Sequence, residues 1–584
     1  MSDSPKTVAP TDTFRLGLTL AGAVSAGAYS AGVLDFLREA LNAWEAAKAK
    51  GKEVPRHQVQ IQAISGTSAG AMCAAMFVGS LGQKVERVNS PAPVKAPSGN
   101  PLYEAWVNQV DIAPMLDDDD LLEGGSVKSI LNCRILDRIA QETLPADTGS
   151  TFELPGWVAN DAELFLCTTS LRGIPYNVYP YLNSTDPYAM NLHAGVMKFR
   201  LSNTATVEAD AIPLYRGAPG ANWDALRVSA LASGAFPFAL KARITETPAG
   251  MLLGRRWEIP EEGCMRLSRD NELEPVLQDF STFSAVCVDG GAINNEPVEH
   301  VRLALQRKNS VDPYNNIERL PRELDKTTAA TILIDPFPDI DQAPPGYKTE
   351  DDLFSVLKAL LPSIMNQLRF KADELVLAAK VGVGSRYMIS PSRLPDANGV
   401  SPAPNLACGE LGGFLGFLDR SFRHHDYLLG RLNCQRFLLR HFYVEVPDQN
   451  DGARGLFLNT PDAYQGRAYF GDQVDEIRRQ QEKKPGFNPV PVIPLMPELR
   501  SIDAAIGAPA LQWPHYDRSK LDKLQHRIQN RMDAILERLL GALKVPFRAF
   551  LLSGFAKLLR IHPAVKIAEK ARSTITSALD KAHL

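Results

Sequence analysis

Apolar and polar positions run through two similar cycles in the first eighty residues. Phe14 to Ala21 (FRLGLTLA) is a short apolar run ending in small residues, which predicts a buried strand. Gly22 to Gly27 (GAVSAG) follows as a turn of small residues. Val33, Leu34, Leu37, Leu41 and Trp44 then recur at helical spacing, so Ala28 to Lys48 is expected as a helix. Val59 to Ser65 (VQIQAIS) alternates and then stays apolar, as a strand does, and Ala69 to Leu81 is a helix of small and apolar residues. Two strand–turn–helix units in series predict an α/β sandwich with a mostly parallel central sheet.

Further strands are expected at Glu163–Thr169, Phe283–Val288, Thr331–Ile334, Arg386–Ile389 and Phe442–Val446, and long helices at Leu353–Lys380 and Asp522–Leu543. Proline-rich connections stand at Pro91–Pro101, Pro391–Pro404 and Pro485–Pro497. This divides the chain into a disordered polar lead-in (1–13), a catalytic α/β body (14–340) and a mainly helical remainder (341–584). The lead-in lacks a signal pattern, and no apolar stretch reaches the ~18 residues of a membrane span.

Composition narrows the function class. Of 584 residues 45% are hydrophobic and 22% charged, which excludes wholesale disorder. The net charge of −4 gives no basic field for nucleic acid, so no nucleic-acid partner is expected. Seven scattered cysteines without a CxxC pair read as reduced thiols, hence a cytoplasmic protein, rather than as a disulfide framework or a zinc site.

The chemistry centres on Gly66-Thr67-Ser68-Ala69-Gly70, a G-x-S-x-G pattern between a strand and a helix. A serine hydroxyl must be exposed and activated to act as a nucleophile. A sharp strand-to-helix turn lifts it above the sheet, and the helix start behind it offers free N–H groups. No histidine stands in a clear catalytic signature. Instead Asp289-Gly290-Gly291 closes a predicted strand, with Asn294, Asn295 and Pro297 after it, and a carboxylate touching the serine directly can serve as its base.

With these segments the chain resembles the patatin-like phospholipase family, in particular large bacterial patatin-related proteins. Gly66–Gly70 is similar to the family's nucleophile elbow, Asp289–Gly291 to its D-G-A/G motif and Leu20–Leu34 to its glycine-rich first segment. Ala230–Pro237 (ALASGAFP) is similar to its A-S-x-A-x-P stretch. The resemblance covers about residues 14–300. It implies a patatin-like three-layer sandwich and a Ser–Asp dyad, with Ser68 as nucleophile and Asp289 as general base. The oxyanion hole would come from the N–H groups of Gly22, Ala23 and Ala69. The implied activity is serine lipid acyl hydrolysis through an acyl-enzyme, with lipid as the substrate partner. A broad esterase or thioesterase, and a non-catalytic lipid-binding protein, are the alternatives. The family often has G-G-G-x-R-G in the first turn, where this chain reads Gly22-Ala23-Val24-Ser25-Ala26-Gly27.

Three other stretches carry charge. Leu411–Gln435 holds Arg423, His424, His425, Asp426 and Arg431, which read as a helix junction with satisfied polar groups, or else as a phosphate or regulatory patch. Asp117–Asp120 reads as a solvated loop, since it lacks the ligand spacing of a calcium site. Lys544–Arg572 interleaves basic and apolar residues and reads as a peripheral membrane contact, or else as a terminal helix packed on the body.

Overall fold

The structure is a computed structural model of the chain. It describes residues 13–542 and 563–584, apart from 123–125, 179–185, 206–208, 262–263, 270–271, 278–280, 338–351, most of 353–370, 381–382, 395–401, 446–455, 458 and 481–487. The main elements of the first half are β1 (Thr13–Leu20), α1 (Gly27–Ala49), β2 (Gln58–Thr67), α2 (Ala69–Gly79), α3 (Arg134–Thr143), β3 (Val158–Val178), β4 (Tyr188–Leu201) and α4 (Gly220–Ser233). The second half adds β5 (Arg243–Pro248), β6 (Thr282–Asp289), α5 (Val298–Asn309), β7 (Ala329–Ile334), β8 (Arg386–Ile389), α6 (Arg420–Arg440), α7 (Lys520–Ala542) and α8 (Pro563–Lys581).

The protein is α/β, with a mostly parallel central sheet and a helical C-terminal region. Strand order is β8–β7–β1–β2–β3–β6–β5, and the first five strands run parallel. Phe14, Leu16, Leu18 and Leu20 of β1 are fully buried in the main core with α1 and α2. On the opposite face α5 packs Val301 and Leu305 against the sheet, and a Cβ on Gly17 would overlap Val301. Helices therefore cover both faces, which is why the parallel strands are continuously apolar. β3 runs on past the end of β2, and β6 returns antiparallel beside it with Asp289 opposite Thr168. The ends of β2 and β6 meet there, at the carboxyl edge where α/β sheets commonly form ligand crevices.

Several expectations need correcting. The division at 340 is not a break in the core: β8 extends the central sheet, and α6 is buried against α1. The Asp117–Asp120 run is exposed at its first three residues, as expected of a solvated stretch, but its last two open a short helix (Asp119–Leu122) and three of its carboxylates are paired. Asp120 pairs with the buried Arg531 of α7, Asp117 with Arg527 at 3.0 Å and Asp119 with Arg134 at 2.6 Å. The connection at Pro485–Pro497 contains a short strand, Pro489–Pro491, paired with Tyr443–Glu445. Of the helix expected at Leu353–Lys380, Ala372–Ala379 is helical and most of the rest lies outside the described residues.

The Leu411–Gln435 stretch is a buried junction. Arg431 binds Asp35 and, at 2.6 Å, Glu39, both on α1. Arg423 donates to Gly416 O at 2.6 Å, and Asp426 accepts the N–H groups of Ala407 and Cys408 at 2.9 and 2.8 Å. His425 Nδ1 lies 2.7 Å from Asp426. These guanidinium and carboxylate groups are occupied by protein partners. Of Lys544–Arg572, residues 544–562, including Phe547, Leu551, Phe555 and Leu558, lie outside the described residues. α8 packs on α7, with Arg572 on Asp522 at 2.7 Å. Among the described residues no helix is long and apolar enough to cross a membrane.

Candidate active site

β2 ends at Thr67 and α2 begins at Ala69, so Ser68 must make the whole turn in one residue. It does so at φ 53°, ψ −127°, a strained conformation for a side chain bearing Cβ. The flanking glycines make the turn sterically feasible. A Cβ on Gly66 would stand 2.7 Å from Gly70 O, and one on Gly70 would overlap Leu20 O. Thr67 anchors the turn from the side through its hydroxyl, which donates to Asn294 O at 2.8 Å.

Asp289 closes β6 within reach of this turn. The Ser68 hydroxyl donates to Asp289 Oδ2 at 2.6 Å, across 221 residues of chain. The other carboxylate oxygen accepts the Gly291 N–H at 2.7 Å. Main-chain atoms of Asp289 are fixed too: its N–H donates to Ala235 O at 2.9 Å, and its carbonyl accepts the Thr169 hydroxyl at 2.8 Å. Gly290 has no room for a side chain, because a Cβ would overlap Cys167 O. Neither Ser68 nor Asp289 bonds a histidine among the described residues. Burial pushes the Asp289 carboxyl up to about 6, with the Ser68 and Gly291 hydrogen bonds pulling partly the other way. A carboxylate poised near neutrality on a serine hydroxyl can accept its proton.

The expected oxyanion donors fall into two groups. The Gly22 N–H is spent on Asn295 O at 3.2 Å, which corrects its assignment as a free donor. The close approach explains the glycine, since a Cβ there would stand 2.9 Å from Ser68 Cβ. Ala23 precedes a short 3-10 turn (Val24–Ala26), and no backbone bond from its N–H is found among the described residues. Ala69 opens α2, where the first amides have no intrahelical acceptor.

Ser68 and Ala69 open onto a cavity of about 740 Å³, counting its mouth. Its walls are almost wholly apolar, with Met72, Met76, Trp106 and Leu240 among them. Arg227 is its charged residue, and it is already bound to Asp224 at 2.5 Å and to Leu144 O at 2.9 Å.

Comparison with known proteins adds kinship. The chain is 33% identical over 577 residues to the uncharacterized protein y4iI of Sinorhizobium fredii (strain NBRC 101917 / NGR234), covering 91% of this chain and 76% of that protein. The chain belongs to the family of that protein. No family model matches the chain.

One residue of the site had no role in the sequence reading. Ser233, inside Ala230–Pro237, accepts the Ser68 N–H at 2.8 Å and donates to Cys167 O at 2.5 Å. It ties the nucleophile turn to β3. The A-S-x-A-x-P pattern marked the stretch, but nothing local showed that its serine reaches Ser68. The cavity wall was equally invisible, because Trp106, Leu136 and Phe417 come from distant segments.

Proposed function

We propose that this protein is a serine lipid acyl hydrolase of the patatin-like type, built on that family's three-layer sandwich. The observation that carries the reading is the 2.6 Å contact from Ser68 Oγ to Asp289, set at the wall of an apolar cavity. A cavity walled almost wholly by apolar side chains, with the Ser68 hydroxyl at its wall, suits an acyl chain whose ester reaches that hydroxyl.

In this reading Ser68 Oγ attacks the ester carbonyl carbon while Asp289 takes the hydroxyl proton. The carbonyl oxygen becomes an oxyanion, received by the N–H groups of Ala23 and Ala69. Collapse of the tetrahedral intermediate breaks the ester C–O bond, and Asp289 returns the proton to the leaving alcohol. A water then attacks the acyl-enzyme, Asp289 takes its proton, and the fatty acid leaves as Ser68 regains its hydrogen. None of these steps calls on a metal or organic cofactor. We place this activity in the cytoplasm, with Lys544–Arg572 as the segment for peripheral contact with a lipid surface.

The test is incubation with mixed phospholipids, with the released acids identified by mass. Wild type is expected to release fatty acid and Ser68→Ala to release none above background. Equal release by both would overturn the proposal.

A further inference from the structure

Val24 is β-branched yet held at φ 47°, in the left-handed region that such side chains rarely enter. It lines the Ser68 cavity one residue after Ala23. Glycine adopts this conformation without strain and valine does not, so the turn's shape has to be held by contacts from elsewhere.

Those contacts come from the far end of the chain. Ser25, fully buried, donates its hydroxyl to the carbonyl of Gly413. Gly413 lies so close that a Cβ on it would stand 3.0 Å from Ala23 O, and a Cβ on Gly416 would overlap Ser25 Oγ. The segment Leu411–Phe417 gains this fit by an unusual path, with Leu411, Gly412 and Gly413 at φ 57°, 62° and 89°. It is fixed from behind by Arg423, which donates to Gly416 O at 2.6 Å. It also meets the cavity directly. Phe417 lines it, and Phe414 packs edge-on at 5.5 Å against Phe236, another wall residue.

We infer that Leu411–Phe417 is a brace that holds the Ala23–Val24 turn in the left-handed shape presenting its amides to the oxygen reacting at Ser68, and that Ser25 is the positioning residue through which it acts. The inference rests on the hydrolase reading above. It explains how a first turn without the family's run of glycines can still serve an oxyanion: the rigidity is supplied by a segment 388 residues away in sequence.

The test uses the full chain and two readouts, the rate of fluorophosphonate reaction at Ser68 and the kcat and KM for p-nitrophenyl butyrate, a soluble ester. Circular dichroism checks that each variant is folded. Ser25→Ala and Gly413→Ala are expected to lower kcat roughly tenfold to a hundredfold, short of losing a whole oxyanion donor, with KM within about twofold. In the Val24→Gly background the Ser25→Ala loss should shrink to about threefold or less, because glycine keeps the turn without the brace. Unchanged kcat in both brace variants would overturn the inference while leaving the hydrolase standing. So would a Ser25→Ala loss of the same size in the Val24→Gly background, since that marks a structural role only. Wild type that neither reacts nor hydrolyses would overturn the hydrolase reading itself, and the brace with it. Should Gly413→Ala fail to fold, Ser25→Ala and its Val24→Gly partner decide the matter alone.

Discussion

Asp289 and Asp35 are both buried carboxylates, at 2% and 4% exposure, and the protein treats them in opposite ways. Asp35, on α1, is surrounded by donors that carry charge. Arg38 binds it at 2.8 Å, Arg431 of α6 reaches its other oxygen, and Asn100 adds a bond at 2.8 Å. Burial alone would raise its carboxyl, but Arg431 and Arg38 together outweigh that and hold it below its ordinary value. Asp289 has only a hydroxyl and an amide, so burial dominates and its carboxyl rises to about 6. A neutralised buried carboxylate joins two helices and is chemically quiet. One buried without a counterion keeps its appetite for a proton, which a base needs and a structural contact does not.

The largest effects expected from this contrast are on activity. Ser68→Ala should lower turnover by roughly 10⁴-fold or more, and Asp289→Asn by roughly 10²–10⁴-fold. Asp35→Asn should leave turnover per folded molecule near wild type. The base must be ionised, so kcat/KM should fall as pH drops through about 6, because Asp289 is then protonated. An Asp289→Asn enzyme with wild-type turnover would remove the contrast altogether.

Stability should respond in the other direction. Asp35→Asn leaves buried Arg38 without a carboxylate and Arg431 with Glu39 alone, at a cost of about 3 kcal/mol in urea unfolding at neutral pH. The folded carboxyl lies below its unfolded value. Its stabilisation is therefore present above the ordinary carboxylate range and is lost as pH falls through the lowered folded value. A cost under about 1 kcal/mol would mean that the α1–α6 junction does not depend on this charge.

The same contrast explains what could be read from sequence. The two strand–turn–helix units and the glycines around Ser68 and Asp289 were legible because local sterics dictate them: a turn of one residue demands small neighbours. The Asp35–Arg431 pair was not, since its members stand 396 residues apart. Arg423, His424, His425 and Asp426 were legible as a helix junction with satisfied polar groups, and they are buried, but the backbone partners that satisfy them could not be named from sequence. At Asp117–Asp120 the exposure was legible and the pairing was not, since Arg531 lies far along the chain. Gly22 was legible as part of a small-residue turn but not as a spent donor, because Asn295 O has no local signature.

Asp289→Asn should also make the protein more stable while disabling it. A folded carboxyl raised above its ordinary value stabilises most when protonated, and that contribution is lost as pH rises through about 6. Moving from 3.8 to about 6 corresponds to about 3 kcal/mol. The neutral isostere avoids this penalty, so at pH 8 the variant should unfold at higher urea by about 2–3 kcal/mol, and the gain should vanish near pH 4. A destabilised variant at pH 8 would show that the Asp289 contacts outweigh its desolvation.

The smallest effect calibrates the rest. Asp522 and Arg572 join α7 to α8 at 2.7 Å, a distance like those around Asp35, but their side chains are 70% and 43% exposed. Water already solvates both groups, salt screens them, and two long side chains lose freedom when they pair. Asp522→Asn should therefore cost about 0–1 kcal/mol, and less at 1 M salt than at 0.1 M. Asp35→Asn should change little with salt, because ions do not reach it. If the exposed pair proved as costly to break as the buried one, pairing geometry rather than burial would set the energy. The different fates of Asp35 and Asp289 would then need another cause than the absence of water around both.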